Sequence, residues 1–256
     1  FEKKTTNRGG WNYNHLVVLA KNNTGWKNLM KLVSFGYLEG FYYRPRVDKE
    51  LLREYSEGLI ATAACVKGAV QQELLDGNYE KAKQAALEHY EIFNGNFFLE
   101  LQKHFLEIED QVRDGMRKIS KETGIPLVVT NDAHYMRKEH HNAHDALICI
   151  GTGKQVTDTK RVTYSSAEFY FKTQDEMFEL FPNDVSAMER TAEIAEMCEV
   201  NIEMGKHLLP EFPIPEDETE RDPDKYLKKL TIQGIEEKYS DMRPDVKERR
   251  EHELNI

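Results

Sequence analysis

Four short apolar, β-rich runs at residues 15–20, 58–64, 97–101 and 127–130 alternate with stretches of helical period, and this alternation limits the fold more than any other feature. After the first run, Asn23-Thr24 offers an N-cap to a helix with Trp26, Leu29, Met30, Leu32 and Val33 on one face. Helices are predicted over 67–75, 79–93 and 108–123, the last stopped by Gly124 with Pro126 just beyond. Repeated strand and helix units imply parallel strands wrapped by helices, hence an α/β barrel or a related layered sheet.

Beyond His144 the pattern turns mostly helical. Ser165 with Glu168, and Thr173 with Glu176, have capping-box spacing, and 184–198 reads as an amphipathic helix. Residues 207–215 are proline-punctuated and extended, and 216–223 are acidic and linker-like, so a domain boundary is expected between 1–215 and 216–256. Asp222-Pro223 then opens a helix through Tyr239, followed by a charged helical stub. There is no internal repeat at a solenoid period.

A length of 256 residues allows one large domain, or one domain with an appendage. No apolar run approaches the ~18 residues that span a bilayer, and Phe1-Glu2-Lys3-Lys4-Thr5 lacks a signal peptide's apolar region, so a cytoplasmic protein without a membrane partner is expected. The opening residues carry no initiator methionine and lead through a polar, glycine-containing turn into a strand, which suggests a fragment. Cys65, Cys149 and Cys198 lie far apart without CxxC spacing, against a disulfide framework or a zinc ribbon. A formal charge of -10 disfavours indiscriminate nucleic-acid binding, so any such contact needs a local cationic patch or attached polypeptide.

The run Val128-Val129-Thr130-Asn131-Asp132-Ala133-His134-Tyr135 carries a strand straight into a carboxylate and an imidazole two residues apart, which at a strand end point the same way. A metal cluster for phosphate-ester hydrolysis needs imidazoles and carboxylates converging from several strands. His15, Cys65, Asp132 and His134 each stand at the edge of a predicted strand and form such a set. Three of them have a plainer reading: His15 as a satisfied strand-end histidine, Cys65 as a small buried residue, Asp132 as the cap of a turn. His140 and His144 share a helical spacing, but no glutamate fills the slot of an H-E-x-x-H motif, which favours a solvated helix. Tyr42-Tyr43-Arg44-Pro45-Arg46 sets two guanidiniums and two aromatics in one loop suited to a phosphate or a base, with an ordinary surface loop as the default. Glu100 and His104 could line the same end, or Glu100 could be a structural carboxylate.

Taken together, the segments resemble the PHP domain, the polymerase and histidinol phosphatase domain, found at the amino-terminal end of bacterial DNA polymerase III alpha subunits. The residues that carry this are Asn14-His15-Leu16-Val17-Val18-Leu19-Ala20, Asn22-Asn23-Thr24-Gly25-Trp26-Lys27-Asn28-Leu29, Gly58-Leu59-Ile60 with Cys65 and Gly68, and Phe98-Leu99-Glu100-Leu101-Gln102. Asn131-Asp132-Ala133-His134-Tyr135, His144-Asp145-Ala146-Leu147-Ile148-Cys149-Ile150 and Leu208-Leu209-Pro210-Glu211-Phe212-Pro213 continue it in the family's order. The resemblance implies a distorted (β/α)7 barrel, here incomplete and followed by a helical extension, with residues 216–256 as linker and start of the polymerase palm region. It further implies a di- or trinuclear zinc or manganese centre in the intact domain, with His15, Cys65, Asp132 and His134 as ligands and Asp132 and His134 as the catalytic pair. The family's His-x-His motif and its glutamate strand, which precede the counterpart of His15, are absent, so this chain alone holds part of the ligand set or no metal.

The function implied is phosphodiester hydrolysis as a 3′ to 5′ exonuclease within a DNA polymerase, with Arg44 or Arg46 placing a phosphate. DNA, a proofreading exonuclease subunit and a sliding clamp are the implied partners. The alternative is a structural domain that stabilises the polymerase and binds partner subunits. A free phosphatase acting on a small phosphomonoester is disfavoured by the proline-rich continuation after Leu209.

Overall fold

The computed structural model describes residues 13–207, 209–239 and 243–255, which form two compact units, Phe1–Ile202 and Glu203–Ile256. In the first, strands β1 (Val17–Ala20), β2 (Leu59–Thr62), β3 (Phe97–Leu101) and β4 (Leu127–Val129) lie side by side in that order. β2, β3 and β4 are parallel, with Ala61 opposite Phe97 and Leu99 opposite Leu127.

β1 departs from the expected parallel set. It runs antiparallel to β2, with Val17 opposite Thr62 and Ala20 opposite Leu59. The cause is the round trip between them. Helix α1 (Asn23–Leu38) carries the chain away from the end of β1, and the return through 39–48 and helix α2 (Lys49–Glu54) brings it back beside the start of α1. There the Asn28 amide donates to the Glu57 carbonyl at 3.0 Å, and Lys21 N donates to Gly58 O at 2.8 Å. β2 therefore begins where β1 stopped, and the first residues of β1 lie at the carboxyl end of β2.

The packing face of α1 also differs from the expected one. Its cap is Asn22, whose side chain accepts from Gly25 N at 3.0 Å, rather than Asn23-Thr24. The buried positions are Gly25, Leu32 and Gly36, while Trp26, Met30 and Val33 are exposed. Backbone proximity decides this: a Cβ on Gly25 would stand 1.7 Å from Gly58 O, and Gly58 itself needs a left-handed φ of +71°. The helix approaches by its flat glycine side, and the bulky stripe is left outward.

β2 and β3 are buried on both faces, as expected of strands sandwiched between helices. Side-chain alternation sends Leu59, Ala61, Leu99 and Leu101 to a core shared with α3 (Ala69–Leu75), α4 (Tyr79–Ile92) and α5 (Glu107–Thr123). Ile60, Phe98 and Val128 face the other way, against Ile194 of the later helix α8 (Val185–Met197). Gly124 ends α5 at φ +76°, the left-handed stop its sequence announces.

After β4 come a short turn, α6 (His141–Thr152) and α7 (Gln174–Leu180). Thr173 and Glu176 form the predicted capping box. Ser165 and Glu168 do not start a helix. That stretch runs alongside the chain at Tyr135, with Phe171 N donating to Tyr135 O at 2.9 Å, and Glu168 is taken up by Lys138 and by Lys172 at 3.6 Å. α8 starts at Asp184, but its carboxylate leaves the cap to bind Arg117 at 2.8 Å.

In the second unit, α9 (Pro223–Lys238) opens with Asp222 capping its first turn and proline within that turn, and α10 (Pro244–Glu253) follows. Phe212 stacks on Tyr226 with ring centroids 6.1 Å apart.

Candidate active site

The reversed direction of β1 brings His15 to Cys65. His15 stands two residues before β1, opposite the residues just past β2; its backbone N donates to Lys67 O at 3.0 Å, and its Nδ1 lies 3.3 Å from Cys65 Sγ. Cys65 follows a tight turn in which Ala64 holds a left-handed φ of +62° and Gly68 N donates to Cys65 O at 2.8 Å. Burial pushes the Cys65 thiol up from its ordinary pKa, and the charge of Asp132 adds to the rise while Lys67 opposes it.

Asp132 and His134 follow β4. Asn131 donates to Tyr170 O at 2.8 Å and His134 N to Phe169 O at 2.7 Å, so the loop is pinned to the returning segment. The Asp132 carboxylate lies 3.4 Å from His134 Nε2, with the two side chains 37% and 33% exposed and open to a ligand. The phenol of Tyr164 stands 3.4 and 3.3 Å from His134 Nδ1 and Nε2. Burial raises the pKa of Tyr164, and the charges of Asp132 and Cys65 raise it further. β2, β3 and β4 run parallel, so Cys65 and Asp132 both follow strands at the same end of the sheet, and the charge of Asp132 acts on both Cys65 and Tyr164.

Imidazole, thiolate and carboxylate are the donor types that zinc takes, and donors on one tetrahedral ion sit roughly 3.4–3.6 Å apart. The separation of 3.4 Å within Asp132–His134 falls at the lower end of that range, and the 3.3 Å within His15–Cys65 just below it. Among the described residues, however, no three His, Cys, Asp or Glu side chains gather as a metal group. His15–Cys65 and Asp132–His134 stand as two separate close pairs.

Glu100 and His104 sit deeper. Glu100 lies on the Thr62 and Thr130 face of the sheet and is 6% exposed; it accepts from Thr62 at 2.5 Å, from Gln102 at 3.1 Å and from Thr130. That saturates it as a structural carboxylate. His104 is buried, stacked on Phe169 at 4.2 Å, with Nδ1 2.7 Å from Glu109. Arg46 stays in its own loop, donating to Gly40 O at 3.2 Å and lying over the Tyr42 ring at 5.3 Å, and Tyr42 N donates to Arg44 O at 3.1 Å. No described contact joins either arginine to the four-residue group.

His144 and Tyr164 are residues whose placement the sequence does not announce. His144 stands 5.7 Å, ring to ring, from His134 and 5.2 Å from Tyr164, rather than pairing with His140. Burial lowers its pKa, and His134 and His141 lower it further. Tyr164 belongs to an irregular stretch with no periodicity, and long-range contacts such as the pairing of Tyr135 with Tyr170 carry it to the mouth.

Compared with known proteins, residues 2–104 match the PHP domain family. The chain is 42% identical over 257 aligned residues to the DNA polymerase III subunit alpha of Borreliella burgdorferi, covering 100% of this chain and 22% of that protein. Its counterparts in Treponema pallidum and Thermus aquaticus are 39% and 37% identical, covering 96% and 94% of this chain and 21% and 20% of theirs. The chain therefore spans about a fifth of the length of these relatives. Among the described residues, no helix is long and apolar enough to cross a membrane.

Proposed function

Because the chain carries a PHP domain of the kind found in DNA polymerase III alpha subunits, we propose that it forms part of a replicative DNA polymerase and that its four-residue mouth hydrolyses phosphodiesters at a DNA 3′ end. The observation that carries the reading is the meeting of His15 with Cys65 at the end of the sheet that also presents Asp132 and His134. His15, Cys65, Asp132 and His134 would hold zinc or manganese, which when bound supplies a Lewis acid and a water of lowered pKa. The remaining chemistry belongs to the chain. Asp132 and Tyr164 both contact His134 Nε2 and orient the imidazole, and Lys67 adds positive charge beside Cys65. The full (β/α)7 barrel, the palm region from residue 216 onward, the cytoplasmic setting, and contacts to a proofreading exonuclease subunit and a sliding clamp belong to the same proposal. The test is cleavage of 3′-labelled single-stranded DNA with manganese or zinc, by this chain and by a polypeptide of the relatives' length that contains it. His134→Ala should lower the rate by at least about 100-fold, consistent with loss of a metal ligand or its orienting group; equal rates with and without His134 would refute it.

A second reading is favoured by one feature: Glu100, Thr62, Thr130 and the His104–Glu109 pair tie the interior together. In that reading the domain is a scaffold for the polymerase. His134→Ala would then leave nuclease output unchanged, and substitutions that open the Glu100 network would impair assembly.

A further inference from the structure

A buried amide beside the mouth has no part in the chemistry above. Gln71, in the first turn of α3, is 1% exposed, and its Nε2 donates to Ala63 O at 2.9 Å and to Ala64 O at 3.0 Å. Both partners are acceptors, so the amide nitrogen must face them, and both of its N–H groups are used. The carbonyls it holds flank the left-handed Ala64, a conformation in which a Cβ is strained, and the next residue is Cys65. The rest of the turn is equally tight: a Cβ on Gly68 would lie 2.1 Å from Ala63 O and 2.3 Å from Gln71 Oε1. A cavity of about 10 Å³, no larger than one water needs, is lined by Cys65, Gln71, Glu100 and Gln102.

We propose that Gln71 is a positioning residue: it clamps the strained turn at Ala63 and Ala64 and thereby fixes the Cys65 thiol against His15. Its functional weight rests on the reading of Cys65 as a site residue, but its geometry does not. If the clamp works against backbone strain, a residue that relaxes at φ +62° should make it dispensable. Glycine is that residue.

The experiment uses the chain with Cys149→Ala and Cys198→Ala, leaving Cys65 as its one thiol, and measures the rate at which iodoacetamide alkylates the folded protein. Gln71→Leu, and Gln71→Glu, which keeps the size but loses the donors, should each speed alkylation at least threefold. Either change made together with Ala64→Gly should leave the rate within twofold of Ala64→Gly alone. Val70→Ala, at a buried neighbour, should lower the melting temperature without moving the rate. An unchanged rate in Gln71→Leu, or the same acceleration in the Ala64→Gly background, would overturn the proposal. Should the Gln71 variants fold only with Gly at 64, the clamp is supported; should they fail in both backgrounds, Gln71 is a core residue and nothing more. DNA cleavage is read separately, in a polypeptide of the relatives' length that contains this chain, so a protein that never cleaves DNA yet shows this thiol pattern sinks the phosphodiesterase reading and leaves the clamp standing.

Discussion

At Ala64 one methyl group opposes the backbone. The residue is buried and left-handed, where a Cβ costs roughly 1–2 kcal/mol, so Ala64→Gly should raise the unfolding free energy by about 1 kcal/mol in urea titration. A loss of stability would mean that the methyl packs better than the strain costs. Glu109 offers a pH-dependent counterpart. Burial raises its pKa, but bonds from the His104 side chain and backbone and from Leu106 N outweigh burial, and the net shift is downward. A depressed carboxylate contributes stability that is complete above its ordinary value of 4.5 and is lost as pH falls through its lower folded value. Glu109→Gln should therefore flatten the decline of melting temperature below pH 4.5, and an equally steep decline would contradict the assignment. Glu100 shows the limit of reading at this scale. Its residue type is equally at home in a site or a strand, and only the three donors around it decide.

The elements with strong local signals were legible: the third strand at Phe97–Leu101, the helix at Tyr79–Ile92 and the glycine stop at Gly124 stand where apolar periodicity and cap chemistry place them. The direction of β1 was not, because periodicity says which face a strand buries and nothing about which neighbour it bonds. Nor was the buried face of α1, since hydrophobicity points to Trp26, Met30 and Val33 while the contact is made by glycines. Gly25→Ala should therefore cost about 1–3 kcal/mol, as overpacking against an immovable carbonyl does, whereas Trp26→Ser should change unfolding free energy by no more than about 0.5 kcal/mol. The reverse order in a denaturant series would show that α1 packs by its bulky stripe.

Across the whole molecule, topology is what assembles the candidate site. His15 and Cys65 meet only when β1 is reversed, and Tyr164 arrives only when the chain after α6 returns beside Tyr135. The sequence names the donors by type and strand-edge position, and the fold supplies their companions. Asp132 and Cys65 share one mouth. That sharing is tested by the pH profile of Cys65 alkylation in the chain whose other cysteines are alanine, before and after Asp132→Asn. Removing the carboxylate removes a charge that raises the thiol pKa, so the midpoint should move to lower pH, while Asp110→Asn, at a side chain 73% exposed and engaged with Arg113, should leave it in place. A midpoint that does not move in Asp132→Asn would put the two pairs at separate places and contradict the account.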